Sequence, residues 1–275
     1  MKPVAFAWER PADIAAALAL AARDDIAVKF TAGGQSLGPM LNLRLVQVDL
    51  LVDLAGIEEL VKVEESADAI TLGACITHAD IEDRRVPDLT RGAVPDIASG
   101  IAYRAVRNRG TIGGSLCHAD PAADWVNALA ALGAVAIVDG PAGRSEIAID
   151  DWMTGAFETR LPAGALMTAI RIPRLSPTAR WGYYKICRKT GEFANAIGAV
   201  LHDEPRGIFR AVIGATGSRP IVFTDAAALF PGRLQPASLD EAIAESALAA
   251  AGIADPVDRK LHIAALRRAA ARAAS

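Results

Sequence analysis

Cysteine is scarce: Cys75, Cys117 and Cys187 stand far apart, an odd set without motif spacing. That argues against a disulfide framework and against a zinc or iron–sulfur site held by this chain. The four histidines, His78, His118, His202 and His262, lack the paired spacing of a metal site. Any metal chemistry is therefore expected on another chain. No apolar run approaches the roughly 18 residues of a membrane span. Met1 to Pro11 carries Lys2, Glu9 and Arg10 and no apolar stretch of a signal peptide, so a cytoplasmic location is expected. A net charge of −3, with no basic stripe, argues against nucleic acid or an anionic membrane as partner. Neither a Walker loop ending in Gly-Lys-Ser/Thr nor a G-x-G-x-x-G fingerprint is present.

What remains is apolar and rich in alanine. At 275 residues, 52% of them hydrophobic, the chain is long enough for two or three compact units with a sizeable core. The start alternates helix and strand. Pro11 suits the first position of a helix whose face is Ile14, Ala17, Leu18 and Ala21. Strands are expected over Ala27–Ala32 and Leu45–Leu54, an order that predicts a small parallel sheet. From Ile57 the texture changes. Short strands are expected at Leu60–Val63 and Ala69–Leu72, and helical or loop segments at Thr77–Arg84 and Asp96–Ser99. A helix from Asp120-Pro121 to about Leu132 precedes a hairpin of Val135–Val138 and Glu146–Ile149 around an Asp139–Gly143 turn. Ala165–Ile172 closes this part. Pro173 to Pro177 marks a boundary. Beyond it three antiparallel strands, Trp181–Arg188, Ala194–His202 and Gly207–Ala215, lead to two helices. Ser238 with Glu241 reads as a capping box for the first, and Asp255 with Pro256 as the start of the second.

Two glycine segments carry the chemistry. The first, TAGGQSLGP over residues 31–39, follows a strand. Adjacent glycines permit positive φ and close approach of a ligand, and successive free N–H groups form an anion nest. A lone Gly-Gly turn is a weak signal. The second segment, GTIGGSLCHADPAAD over residues 110–124, repeats nearly the same core. Both carry hydroxyls, so two N–H-rich loops can clamp the two phosphates of a dinucleotide without a lysine. Two independent turns, or a repeat without function, are the alternatives.

TAGGQSL and TIGGSLCHADPAADW resemble the paired FAD motifs of the medium subunits of molybdenum hydroxylases, the carbon monoxide dehydrogenase and xanthine dehydrogenase type. The likeness extends over essentially the whole chain. It implies an α+β architecture: a two-subdomain FAD-binding fold of the PCMH, or vanillyl-alcohol-oxidase-like, kind over residues 1–55 and 56–175. A C-terminal domain of three-stranded antiparallel sheet plus helices would follow over residues 176–275.

By the same resemblance, Ala32, Gly33, Gly34, Gln35 and Ser36, with Thr111, Ile112, Gly113, Gly114 and Ser115, would bind the FAD pyrophosphate, and Leu37 would belong to the cofactor site. Lys29 would help hold the cofactor. Asp124 would sit near its ribityl or adenosine portion, or serve only as a helix N-terminal charge. Ile101 would pack on the flavin or adenine, or be plain core. Met167 and Thr168 would line the adenine side. Lys185 would contact the cofactor from the C-terminal domain, or be a surface charge. Phe193 stands where relatives often have tyrosine near the flavin, and Ser115 where they usually have asparagine. His118 would touch the cofactor or brace its loop. Cys117 reads as a small buried filler and His78 as structural.

The resemblance further implies partners: a large molybdenum–pterin subunit that acts on the substrate and a small subunit with two [2Fe–2S] clusters, usually as a dimer of heterotrimers. This chain would take electrons from the clusters and pass them to an external acceptor, with no catalytic side chain of its own. Two other readings stay open, a stand-alone flavin oxidoreductase and a scaffold that has lost flavin.

Overall fold

The computed structural model describes residues 2–275. The N-terminal sheet is parallel, as the helix–strand alternation requires. Strand β1 (Ala7–Glu9), helix α1 (Ile14–Ala21), strand β2 (Val28–Thr31), helix α2 (Leu37–Asn42) and strand β3 (Leu50–Asp53) assemble in the order β1-β3-β2. Leu50, Leu51 and Val52 of the central β3 are buried on both faces, and α1 covers one of them. The helix begins later than Pro11 suggests: Asp13 is its N-cap and accepts from the Ala16 amide at 2.7 Å. The strand expected at Leu45–Leu54 shortens to β3. Arg44 takes φ 59° and the Leu45 amide still closes onto Met40 O, so the chain leaves the helix before it can pair.

The second part is an antiparallel sheet of order β4-β5-β10-β6-β7. Its elements are β4 (Val63–Glu65), β5 (Ala69–Gly73), α3 (His78–Glu82), α4 (Ala93–Ser99), α5 (Arg104–Arg107), α6 (Ile112–His118) and α7 (Asp124–Ala131). Then come β6 (Val135–Gly140), β7 (Gly143–Ala148), α8 (Ile149–Trp152), the ribbon β8 (Met153–Gly155) and β9 (Glu158–Thr159), and β10 (Leu166–Pro173). Leu60 lies in a 3-10 turn over Glu58–Val61 rather than a strand. Gly73 lies so close to its carbonyl that any side chain there would collide. The hairpin turn shrinks to Pro141 and Ala142 because β6 runs on to Gly140. Helix α7 starts at Asp124, not Asp120, whose carboxylate is spent on the Ala122 amide. All eight α7 residues are buried, Trp125 completely, so this helix is the spine of the largest core.

The C-terminal sheet has four antiparallel strands instead of three: β11 (Arg180–Ile186), β12 (Ala196–Asp203), β13 (Ile208–Gly214) and β14 (Ile221–Phe223). The three-residue β14 is too short for an alternation signal. Helices α9 (Glu241–Ala250) and α10 (Pro256–Ala274) follow. The N-cap of α9 is Asp240; the Ser238 hydroxyl instead donates to Arg233 O. Asp255 and Pro256 open α10 as expected. Alanine and glycine let α10 lie directly on the sheet: a Cβ at Gly198 would stand 2.5 Å from Leu266 Cα.

His78 is structural. It is buried, its Nδ1 accepts from Trp125 Nε1 at 3.0 Å, and its ring packs on Gly110. Burial, with the Arg107 charge added, lowers its pKa to about 4. The unfolded chain binds this proton near pH 6.5, so the group's contribution is intact above 6.5 and is lost as pH falls through 4. Its share of acid destabilisation should reach about 3 kcal/mol. Urea midpoints at pH 7 and pH 4.5 should therefore differ less in His78→Gln than in wild type.

Candidate flavin site

Packing brings the two glycine segments together. At Gly33 a Cβ would lie 2.6 Å from the Arg109 carbonyl carbon and 2.8 Å from Gly110 Cα. At Gly114 it would meet Thr111 Oγ1 at 2.7 Å and the Ala32 methyl at 3.8 Å. So Ala32–Leu37, running from β2 into α2, abuts Arg109–Ser115, running from α5 into α6.

Their chemistry differs. Gly34 takes φ +69°, and the amides of Gly34, Gln35, Ser36 and Leu37 donate to no acceptor among the described residues. Gln35 folds back onto Gly33 O at 3.0 Å and Ser36 heads α2. This is the expected nest. The second segment is not a loop but the start of α6, and its amides are spent. Ile112 donates to Ile76 O, Gly113 to Ala74 O at 2.9 Å, Gly114 to Thr111 Oγ1 at 3.1 Å and Ser115 to Thr111 O. The expectation of two amide clamps is corrected: one segment supplies donors and the other a close wall. Ile112 and Gly113 are buried; Gly114 is exposed and Ser115 half-buried.

Met167 and Thr168 stand one layer beneath. Met167 is buried in the core, and the Thr168 hydroxyl is spent on Asp139 at 2.7 Å. Thr168 O accepts the Ala74 amide, and Ala74 O accepts that of Gly113. Their side chains therefore offer no open face to a ligand; they brace the second segment. Lys29 is exposed on β2, and its charge reaches His118. Burial lowers the His118 pKa, Asp120 opposing and Lys29 adding. The His118 ring tilts against Phe157, 5.2 Å between centroids. Cys117 is exposed, not a buried filler, because α6 turns that position outward.

A second group of expected residues gathers where α7 meets β11. Asp124, at the start of α7, accepts from Lys185 Nζ at 2.9 Å and from Tyr183 Oη at 2.6 Å. The Asp124 and Lys185 side chains are 9% and 10% exposed, so neither is a surface charge. Burial raises the Asp124 carboxyl above the usual range, against the pull of Lys185 and Tyr183. Lys185 also donates to Gly100 O at 2.9 Å. Half-buried Ile101 bridges to Gly191, and two residues on Phe193 is 65% exposed. Asp124, Lys185, Tyr183, Trp181, Asp96 and Arg272 line a cleft of about 520 Å3. Tyr183, Trp181 and Gly100 belong to no motif in the sequence. The strand alternation of β11 puts residues 181, 183 and 185 on one side, but nothing in the sequence marks Asp124 as their partner.

A model of the FAD binding domain in molybdopterin dehydrogenase matches residues 4–175, well over half the chain. The chain belongs to that family. It is 34% identical to the carbon monoxide dehydrogenase medium chain of Afipia carboxidovorans, over 99% of this chain and 98% of that protein. To caffeine dehydrogenase subunit beta of a Pseudomonas species it is 32% identical, over 81% and 77%. A carbon monoxide dehydrogenase structure from Hydrogenophaga pseudoflava superposes with a TM-score of 0.87 at 29% identity, covering 99% of this chain and 98% of that one. The α+β fold, the FAD cofactor and the oxidoreductase class all follow from family membership. The geometry suits the cofactor: the free amides of Gly34–Leu37 follow Gly33, which packs on Gly110, and the cleft lined by Asp124, Lys185, Tyr183 and Trp181 lies next to Gly100 and Gly191. Among the described residues, no helix is long and apolar enough to cross a membrane.

Proposed function

We propose that this chain is the electron-transferring FAD subunit of a molybdenum-dependent hydroxylase or dehydrogenase, divided as residues 1–55, 56–175 and 176–275. The observation that carries it is the packing of the first glycine segment on the second, Gly33 against Arg109 and Gly110 and Ala32 against Gly114, which sets the free amides of Gly34–Leu37 next to that contact. Gly34, Gln35, Ser36 and Leu37 would donate to the pyrophosphate, Ala32 and Gly33 keeping the backbone close. Thr111 holds the α6 turn, Ile112 and Gly113 seat it, and Gly114 and Ser115 face the ligand. Lys29 and His118 would flank it. Asp124, Lys185, Ile101 and Phe193 would surround the flavin end. Met167 and Thr168 act from below.

When bound, FAD supplies exchange between one-electron and two-electron carriers. The chain's own residues bind it, orient it and limit its access to water. Electrons would come from [2Fe–2S] clusters on a small subunit, after chemistry at a molybdenum–pterin on a large one, and leave to an external acceptor. A cytoplasmic dimer of heterotrimers is the expected assembly. The relatives named as a medium chain and as a subunit beta support a partnered role over a stand-alone one.

The visible spectrum of the purified chain, with the cofactor identified after denaturation, tests this. Flavin bands and released FAD are expected, with molybdenum and iron co-purifying when partners are co-expressed. A folded chain, with or without its partners, that takes up no FAD would refute the reading.

A further inference from the structure

Strand alternation puts Trp181, Tyr183 and Lys185 on one side of β11, against the start of α7. Between them they satisfy both oxygens of a buried carboxylate: Tyr183 Oη serves Asp124 Oδ1 at 2.6 Å and Lys185 Nζ serves Oδ2 at 2.9 Å. An ammonium has three N–H groups. Lys185 spends one on Asp124 and one on Gly100 O, and the third has no acceptor among the described residues, on a side chain that lines the cleft. The Tyr183 ring is held in place. Trp181 lies 6.5 Å away at an interplanar angle of 10°, and Arg272 donates to the Tyr183 carbonyl at 2.7 Å. Burial and the Asp124 charge push the phenol well above its ordinary pKa, so it remains a donor throughout.

We propose that Tyr183 is a positioning residue that sets how much positive charge Lys185 presents to the flavin. This rests on the flavin site argued above. A carboxylate shared between two donors neutralises the ammonium less than one that has the ammonium alone. A less neutralised ammonium favours the reduced flavin, which carries more negative charge. Loss of the hydroxyl would turn the Asp124 charge more fully onto Lys185 and make the flavin harder to reduce. No bond is made or broken at Tyr183. Asp96 and Arg272, the other charged groups lining the cleft, are untouched by the change.

The test is the flavin reduction potential of the full chain, with whatever subunits accompany it, measured by titration against redox dyes. Tyr183→Phe should keep FAD at the wild-type level and lower the two-electron reduction constant about tenfold, or about 30 mV. The same change on an Asp124→Asn background should add no further shift. An unchanged potential in Tyr183→Phe overturns the proposal, as does an equal shift with and without Asp124. Should Tyr183→Phe misfold, site-specific difluorotyrosine at position 183 offers a stronger donor at nearly the same size. The potential should then rise, and no rise would overturn the proposal. Absence of FAD from the wild-type protein would instead overturn the flavin site itself.

Discussion

Replacing Gly33 with valine is expected to abolish FAD retention while leaving most of the secondary structure in place. No side chain fits at that position. A Cβ would fall on the Arg109 carbonyl, and what it strikes is backbone, which cannot rotate away. The β2–α2 segment must therefore lift off the α5–α6 connection. That overpacking should cost on the order of 1–3 kcal/mol, short of unfolding a domain of ordinary stability. The ligand loses far more. At the proposed pyrophosphate site, displacing the free amides of Gly34–Leu37 by even an ångström would break several charge-assisted hydrogen bonds to phosphate. Flavin content per chain should drop below a tenth of wild type, with circular dichroism nearly unchanged. Full occupancy in Gly33→Val would mean that the pyrophosphate lies elsewhere. Ser115→Ala makes a useful contrast: it removes one half-buried hydroxyl with no backbone clash, and should lower FAD affinity by only about tenfold.

The second large effect concerns charge. Lys185→Met should destabilise the protein by about 3–5 kcal/mol at neutral pH, because it strands the buried Asp124 carboxylate with only the Tyr183 hydroxyl. The pH dependence has a definite sign. An acid whose folded-state pKa is raised makes the folded state bind more protons, so stability is regained as pH falls through that raised value. The loss in Lys185→Met should thus shrink toward acid. Adding Asp124→Asn should recover most of it at neutral pH, since a neutral amide no longer needs the ammonium. Urea midpoints of the single and double variants across that pH range check the point. Equal destabilisation of both variants at every pH would show that the pair packs rather than balances charge.

Local signals in the chain were strong where the backbone itself is the message. TAGGQSL and TIGGSLCHADPAADW announced a dinucleotide site because only glycine permits such close approach, and the Asp255-Pro256 start of α10 is a purely local event. Signals failed where a neighbour decides. The amides of Ile112 and Gly113 look free in the sequence, yet Ile76 and Ala74, more than 30 residues earlier, consume them. Leu60 has strand-like neighbours, but the close approach of Gly73 fits a 3-10 turn. Asp240 won the α9 cap from Ser238 because its carboxylate reaches the Ala242 and Ile243 amides.

Residue types at fixed short spacing are enough for the family, for FAD as cofactor and for singling out the two glycine segments. How those segments differ follows from the tertiary structure alone. It leaves the amides of one glycine segment free and bonds those of the other, turns Met167 and Thr168 inward, and joins Tyr183 to Asp124 across 59 residues. Hydrogen-bond satisfaction and burial are properties of neighbours in space, and a chain specifies those neighbours only through the fold as a whole.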